Sequence, residues 1–130
     1  MKLFIDEDTG TGVAKALYVL KVATVDWIGN DRTFKKGTAD EIWIPYVGRG
    51  SFLLLSCNTG ILESEMQRSL LIQEKVGAVF ITSGEIGKLE LMQFIMRRWE
   101  WLVTLHETQP RPFAYLTPIN GRPKRDPRVR

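Results

Sequence analysis

The most informative stretch of this chain is Phe52-Leu53-Leu54-Leu55-Ser56, which is apolar at every position but the last. A continuous apolar run of this length is typical of a central strand that is buried on both faces of a sheet. Residues 78–82 have the same character, and residues 2–5 form a shorter apolar run that stops at acidic residues. These runs predict a sheet whose two faces are both covered by helices.

Segments with helical spacing lie between the predicted strands. Apolar residues recur at steps of three and four over 13–20 and 63–76, and most regularly over 89–106, which predicts one helix of about five turns there. Thr38 and Glu41 have the spacing of a capping box for a helix that ends at Gly48-Arg49-Gly50. Further strands are predicted at 22–25 and 113–116. The alternating order predicts an α/β fold with a central, mostly parallel sheet flanked by helices.

Length and charge predict one domain with a basic C-terminal segment. The chain has 130 residues, and we expect residues 1–119 to form the domain and residues 120–130 to form a flexible tail. Residues 122–130 contain five basic residues and one acid, a net charge of +4 that leaves −1 for the rest of the chain. Either this tail is simply solvated, or Arg122, Lys124 and Arg125 bind nucleic-acid phosphates or a partner.

The sequence predicts a cytoplasmic protein that does not enter membranes. Cys57 is the single cysteine, so an intramolecular disulfide is excluded. The apolar stretch at the N-terminus is shorter than that of a signal peptide, and no apolar run reaches the roughly 18 residues of a membrane span.

Polar residues follow the predicted strands at the positions where chemistry is expected in such a sheet. Asp6-Glu7-Asp8 follows the first strand, Asp40-Glu41 begins a helix, Asn58 follows the central strand and Ser83-Gly84-Glu85 follows a later one. The carboxyl ends of parallel strands meet at one edge, and carboxylates gathered there need a compensating cation. Oxygen ligands suit Mg²⁺ or Mn²⁺, which activate water for attack on a phosphodiester. Alternatively, the first acids belong to a solvated loop and the second pair only favours a helix N-terminus.

Other reactive residues give weaker signals. His106, the only histidine, is interpreted as a packing or capping residue, and Cys57 has no histidine near it in sequence to act as a base. Gly10-Thr11-Gly12 resembles the beginning of a dinucleotide loop, but Lys15 occupies the third small position. A phospho-accepting receiver domain would need an aspartate where this chain has Asn58.

Three short motifs, in their order and spacing, resemble the small PIN-like domains, in particular the toxin-type and Mut7-C-like members. They are Phe4-Ile5-Asp6-Glu7-Asp8, Ala39-Asp40-Glu41-Ile42-Trp43-Ile44 and Leu54-Leu55-Ser56-Cys57-Asn58. The resemblance covers about residues 2–82. It implies a PIN-like fold and a Mg²⁺- or Mn²⁺-dependent endoribonuclease, often the toxin of a toxin–antitoxin pair, with RNA as substrate and a cognate antitoxin protein as partner.

The same resemblance implies the site residues. Asp6 matches the first metal-binding aspartate, and Asp40, or its neighbour Glu41, matches the second acid. Asn58 stands where the family has its third aspartate, and Glu65 matches a further acid if the alignment contains a gap. Because Asn58 is uncharged, a weakened or inactive scaffold that binds a protein or nucleic acid is the alternative. Whether the protein is a homodimer is left open.

Overall fold

The computed structural model describes residues 1–7, 9–84 and 86–130. In chain order the elements of this described part are β1 (Lys2–Ile5), α1 (Thr11–Leu20), β2 (Thr24–Trp27), α2 (Asp40–Arg49), β3 (Leu53–Ser56), α3 (Gly60–Glu63), α4 (Glu65–Gln73), β4 (Gly77–Ile81), α5 (Lys88–Arg97), α6 (Trp99–Thr108), β5 (Phe113–Thr117) and β6 (Lys124–Arg125).

The strands form one sheet in the order β2-β1-β3-β4-β5-β6. The first five strands are parallel, and β6 is antiparallel to β5, so the expected α/β fold with a mostly parallel sheet is confirmed. In this order β1 lies between β2 and β3, so the direction in which successive strands are added to the sheet reverses after β2. In open α/β sheets, such a reversal creates a crevice between the carboxyl ends of the two diverging strands, here β1 and β3.

Alternate residues of the central strands face two separate hydrophobic cores. Leu3, Ile5 and Leu55 face one core, which α1, α5 and α6 cover. Phe4 and Leu54 face the other core, which α2, α3 and α4 cover. All the residues of β3 and β4 are buried, which explains why their sequences are apolar without alternation.

Two predicted helices have different bounds in the structure. The long helix expected over 89–106 is split at Arg98, whose guanidinium donates to the carbonyl of Gly121 in the turn before β6. The helix expected over 63–75 corresponds to α4, which begins two residues later, at Glu65, and ends at Gln73; the Ser64 hydroxyl accepts the N–H of Gln67 at 3.3 Å and caps it. The apolar stripe continues across the break at Arg98, so periodicity alone does not reveal it.

The capping box expected at Thr38 and Glu41 is wrong. The N-cap of α2 is Ala39, without a side-chain cap, and the Thr38 hydroxyl donates to the carbonyl of Lys35 instead. The helix therefore begins one residue after the predicted cap, with Asp40 and Glu41 in its first turn.

The C-terminal segment is packed against the domain, contrary to the flexible tail that we expected. Lys124 and Arg125 form β6, Asp126 is buried, and Val129 is completely buried in the core beneath α2, α3 and α4. Asp126 accepts the N–H of Arg128 and its guanidinium, which lowers the pKa of Asp126. Buried Val129 and this carboxylate anchor a segment whose composition suggested disorder.

Within the described residues, no helix is both long enough and apolar enough to cross a membrane.

Candidate functional site

Asp6 lies directly after β1, at the β1–β3 crevice, and only 4% of its surface is exposed. One carboxylate oxygen accepts the hydroxyl of Thr9, and the other accepts the hydroxyl of Ser56 at the end of β3. The second bond joins residues 50 positions apart. It holds the Asp6 carboxylate against the neighbouring strand, because parallel pairing brings the two carboxyl ends to the same edge.

Asn58 is placed by the turn that follows β3. Its backbone N–H donates to the Ser56 hydroxyl at 2.9 Å, and its side-chain oxygen accepts the N–H of Gly60 at 3.1 Å. Cys57, between them, donates its N–H to the Thr9 hydroxyl at 2.7 Å. Burial raises the pKa of the Cys57 thiol to about 11, so this cysteine is protonated at neutral pH and is a poor nucleophile.

Asp40 reaches the crevice from the first turn of α2. One of its oxygens accepts the indole N–H of Trp43 at 2.8 Å, and the other accepts the side-chain amide of Gln67 on α4. Two helices on the same face of the sheet therefore orient this carboxylate. An acid in the first turn is also favoured by the helix dipole.

Glu7 brings a further carboxylate to the site. It is exposed, and one oxygen accepts the backbone N–H of Gly37 at 2.8 Å. A cavity of about 70 Å³ opens between these side chains, which is enough for an ion and some of its water. The residues that line it are Asp6, Glu7, Ile28, Thr38, Asp40, Trp43 and Asn58.

A second buried carboxylate, Asp26 on β2, fixes the segment between β2 and α2. One oxygen accepts the Asn30 amide and the Thr33 hydroxyl, both at 2.9 Å, and the other accepts the Tyr46 hydroxyl at 2.7 Å. Burial, together with the bond to Asp26, raises the pKa of Tyr46 to about 12. This network holds in place the segment whose Gly37 binds Glu7.

The structure brings together three of the predicted site residues, namely Asp6, Asp40 and Asn58. Glu41 and Glu65 are exposed in the first turns of their helices and do not line the cavity. Asp8 and Glu85, two further acids named from sequence, lie outside the described residues. The basic residues Arg122, Lys124 and Arg125 lie on or beside β6, which is three strands away from β3. A role for these acids and bases remains a prediction.

The sequence placed Glu7 in the acidic run after β1 without giving it a role at the site, and the donors Thr9, Ser56 and Gln67 were not predicted. Glu7 directly follows Asp6, so position alone was a signal for it. Ser64 and Gln67 have the spacing of a capping box, which marks the beginning of α4 at Glu65. Gln67, the second residue of this box, is the one that contacts Asp40. No local pattern indicates the contacts of Ser56 and Gln67 with the two aspartates.

The cavity is lined by residues whose side chains carry oxygen donors, three of them acids (Asp6, Glu7 and Asp40) and one an amide (Asn58). Carboxylate and amide oxygens are suitable ligands for Mg²⁺ or Mn²⁺. Among the described residues, however, no three acidic, histidine or cysteine side chains form a group that would hold a metal ion. Asn58 lines the cavity without adding a charge, so we expect any divalent ion there to be held weakly.

Comparison with known families identifies the family to which this chain belongs. Residues 1–83 match the family described as PIN like domain, and this match covers β1 to β4 and every residue that lines the cavity. Neither the curated proteins nor the solved structures give a match to this chain. With the family match spanning more than half of its length, the chain belongs to the PIN-like domains, a superfamily that includes nucleases.

Proposed function

We propose that this protein is a Mg²⁺- or Mn²⁺-dependent endoribonuclease of the PIN-like class that acts as the toxin of a toxin–antitoxin pair. One observation carries the proposal. The β1–β3 crevice brings Asp6, Asp40 and Asn58 to a single cavity, although Asp6 follows β1, Asn58 follows β3 and Asp40 lies in the first turn of α2. The toxin role, and a cognate antitoxin protein as partner, rest on the resemblance to toxin-type members.

Asp6, Asp40 and Asn58 would hold the cation, with Glu7 at the rim. When bound, the ion supplies an activated water and offsets the charge on the phosphodiester. The Ser56 and Thr9 hydroxyls orient Asp6, and the Trp43 and Gln67 N–H groups orient Asp40. Carboxylates already oriented by the fold need less reorganisation when the cation and substrate bind.

Cleavage of single-stranded RNA tests the proposal. The wild-type protein with Mn²⁺ should cleave RNA, and Asp6→Asn should reduce the rate at least about a hundredfold, as loss of an electrostatic group commonly does. Glu107→Gln is the matched control, because Glu107 is exposed on α6 and does not line the cavity. Circular dichroism checks that each variant is folded. Equal cleavage by the wild type and Asp6→Asn would overturn the role of Asp6.

The same proteins test the toxin role in cells. Induced expression of the wild type should arrest the growth of a bacterial host, as should Glu107→Gln, whereas Asp6→Asn should not. Growth arrest by Asp6→Asn would show that any toxicity is independent of this site.

A second candidate function is a non-catalytic scaffold that binds a protein partner or nucleic acid. Asn58 favours it, because the neutral amide removes one charge from the cation site. Calorimetric titration with Mn²⁺ separates the two candidates. The nuclease should bind Mn²⁺ in a manner that Asp6→Asn abolishes, whereas a scaffold should show no binding that depends on Asp6.

A further inference from the structure

We propose that the segment 28–38, between β2 and α2, binds the phosphodiester backbone of single-stranded RNA through Lys35 and Lys36. We name this segment the β2–α2 loop. The inference rests on the proposed ribonuclease function, and it assigns the substrate-binding surface to a part of the molecule that the sequence did not indicate.

The loop is held in a defined conformation at several points. Asn30 and Thr33 donate to Asp26, and the N–H of Gly29 donates to the carbonyl of Phe34 at 2.8 Å. The Phe34 ring packs edge-on against Tyr46, with ring centroids 5.0 Å apart. Charged groups mounted on an ordered loop lose less conformational entropy on binding than those on a flexible one.

The loop also forms one wall of the cavity. Thr38 lines the cavity, and the N–H of Gly37 donates to Glu7 at 2.8 Å. Lys36 immediately precedes this contact. The methylene groups of its side chain lie over Gly29, where a Cβ would be 3.3 Å from Lys36 Cγ. Lys36 is thus adjacent in sequence to the residue that contacts Glu7, and its side chain packs beside Gly29, which follows the lining residue Ile28.

The charges of the loop suit this role. Lys35 and Lys36 are exposed, and neither takes part in an ion pair with another described residue. With Arg32 and Asp31, the loop carries a net charge of +2. The carboxylates of the cavity repel a polyanion, so a nearby positive surface is needed to bring RNA to them.

The basic residues of β6 lie farther from the strand ends that form the cavity, and are therefore less suitable for binding RNA there. Three strand spacings separate β6 from β3, a distance of about 14 Å. Lys124 and Arg125 are nevertheless exposed and basic, so they provide a control with the same change of charge.

The salt dependence of RNA binding tests the inference. A fluorescein-labelled single-stranded RNA of about 12 nucleotides is titrated in EDTA, which prevents metal-dependent cleavage, at several salt concentrations. Each phosphate contact contributes about −0.7 to the slope of the logarithm of the association constant against the logarithm of salt concentration for a single strand. The double variant Lys35→Gln with Lys36→Gln should therefore have a slope that is shallower by about 1.4. Lys124→Gln with Arg125→Gln should leave it unchanged. Urea unfolding confirms that both double variants are as stable as the wild type.

The outcomes separate this inference from the proposed function. If the wild type binds RNA and the loop double variant binds with an unchanged slope, the inference is overturned and the ribonuclease proposal stands. A shallower slope in the β6 double variant alone would overturn the inference and show that RNA binds to the C-terminal segment. If the wild type neither binds nor cleaves RNA, the proposed function fails and the inference fails with it.

Discussion

Under the proposed function, Asn58 is the residue that we expect to limit most how strongly the cavity holds a cation. Asn58 lines the cavity with Asp6 and Asp40, and its side-chain oxygen accepts the N–H of Gly60. An aspartate at this position keeps that acceptor and adds a negative charge. With a cation present, the added charge is attractive, and without one it repels the two aspartates.

We therefore expect Asn58→Asp to bind Mn²⁺ at least about tenfold more tightly, since one added charge near a divalent ion contributes more than about 1.4 kcal/mol. The variant should also have a lower Tm than the wild type in EDTA. Calorimetric titration and thermal unfolding measure the two effects.

Asn120→Asp is the control for this change, because Asn120 is exposed in the turn between β5 and β6 and lies away from the cavity. If Asn58→Asp and Asn120→Asp alter Mn²⁺ affinity equally, Asn58 does not contribute to a cation site.

At the scale of elements, the position of Asp40 depends on the packing of α2 against α4. Gly48, near the end of α2, lies so close to the carbonyl of Glu74 that a Cβ would overlap it. At the other end of the same pair of helices, Gln67 on α4 donates to Asp40. The close approach of the two helices thus brings the donor to the carboxylate.

Gly48→Ala should separate the two helices and lower the free energy of unfolding by about 1–3 kcal/mol, as overpacking commonly does. Gly12→Ala is a suitable comparison within α1, because a Cβ there would be 3.7 Å from the Lys88 side chain, an ordinary contact. That variant should be unchanged or up to about 1 kcal/mol more stable, given the helix propensity of alanine. Urea unfolding measures both. Equal stability of the two variants would contradict the close packing described here.

At the scale of the whole molecule, the C-terminal segment completes the sheet and one core. β6 pairs with β5, and Val129 is buried with residues of α2, α3 and β3. The buried Asp126 accepts the Arg128 side chain at 2.8 Å. The basic composition of the segment thus coexists with two buried residues that attach it to the domain.

Removal of residues 120–130 should destabilise the protein by more than about 2 kcal/mol, because burial of one valine side chain alone contributes about 1.5–3 kcal/mol. Val129→Ala in the full chain should have a smaller effect in the same direction. Urea unfolding measures both. A shortened chain as stable as the full one would show that residues 1–119 are sufficient for the fold.

The sequence by itself determined the type of fold, its five parallel strands and the acid at the centre of the candidate site. Uninterrupted apolar runs predicted β3 and β4, because strands buried on both faces need no polar residues. Asp6 was predicted from its position after a strand, and the family match covers that region. These features depend on local composition and order, which a single chain displays directly.

Only the tertiary structure decided which side chains meet at the cavity and where the C-terminal segment lies. Ser56 contacts Asp6 across 50 residues, Gln67 contacts Asp40 across 27, and Gly37 contacts Glu7 across 30. Such pairs depend on strand register and on the packing of α2 against α4, which no local pattern encodes. The break at Arg98 and the burial of Val129 likewise follow from contacts with distant parts of the chain rather than from periodicity.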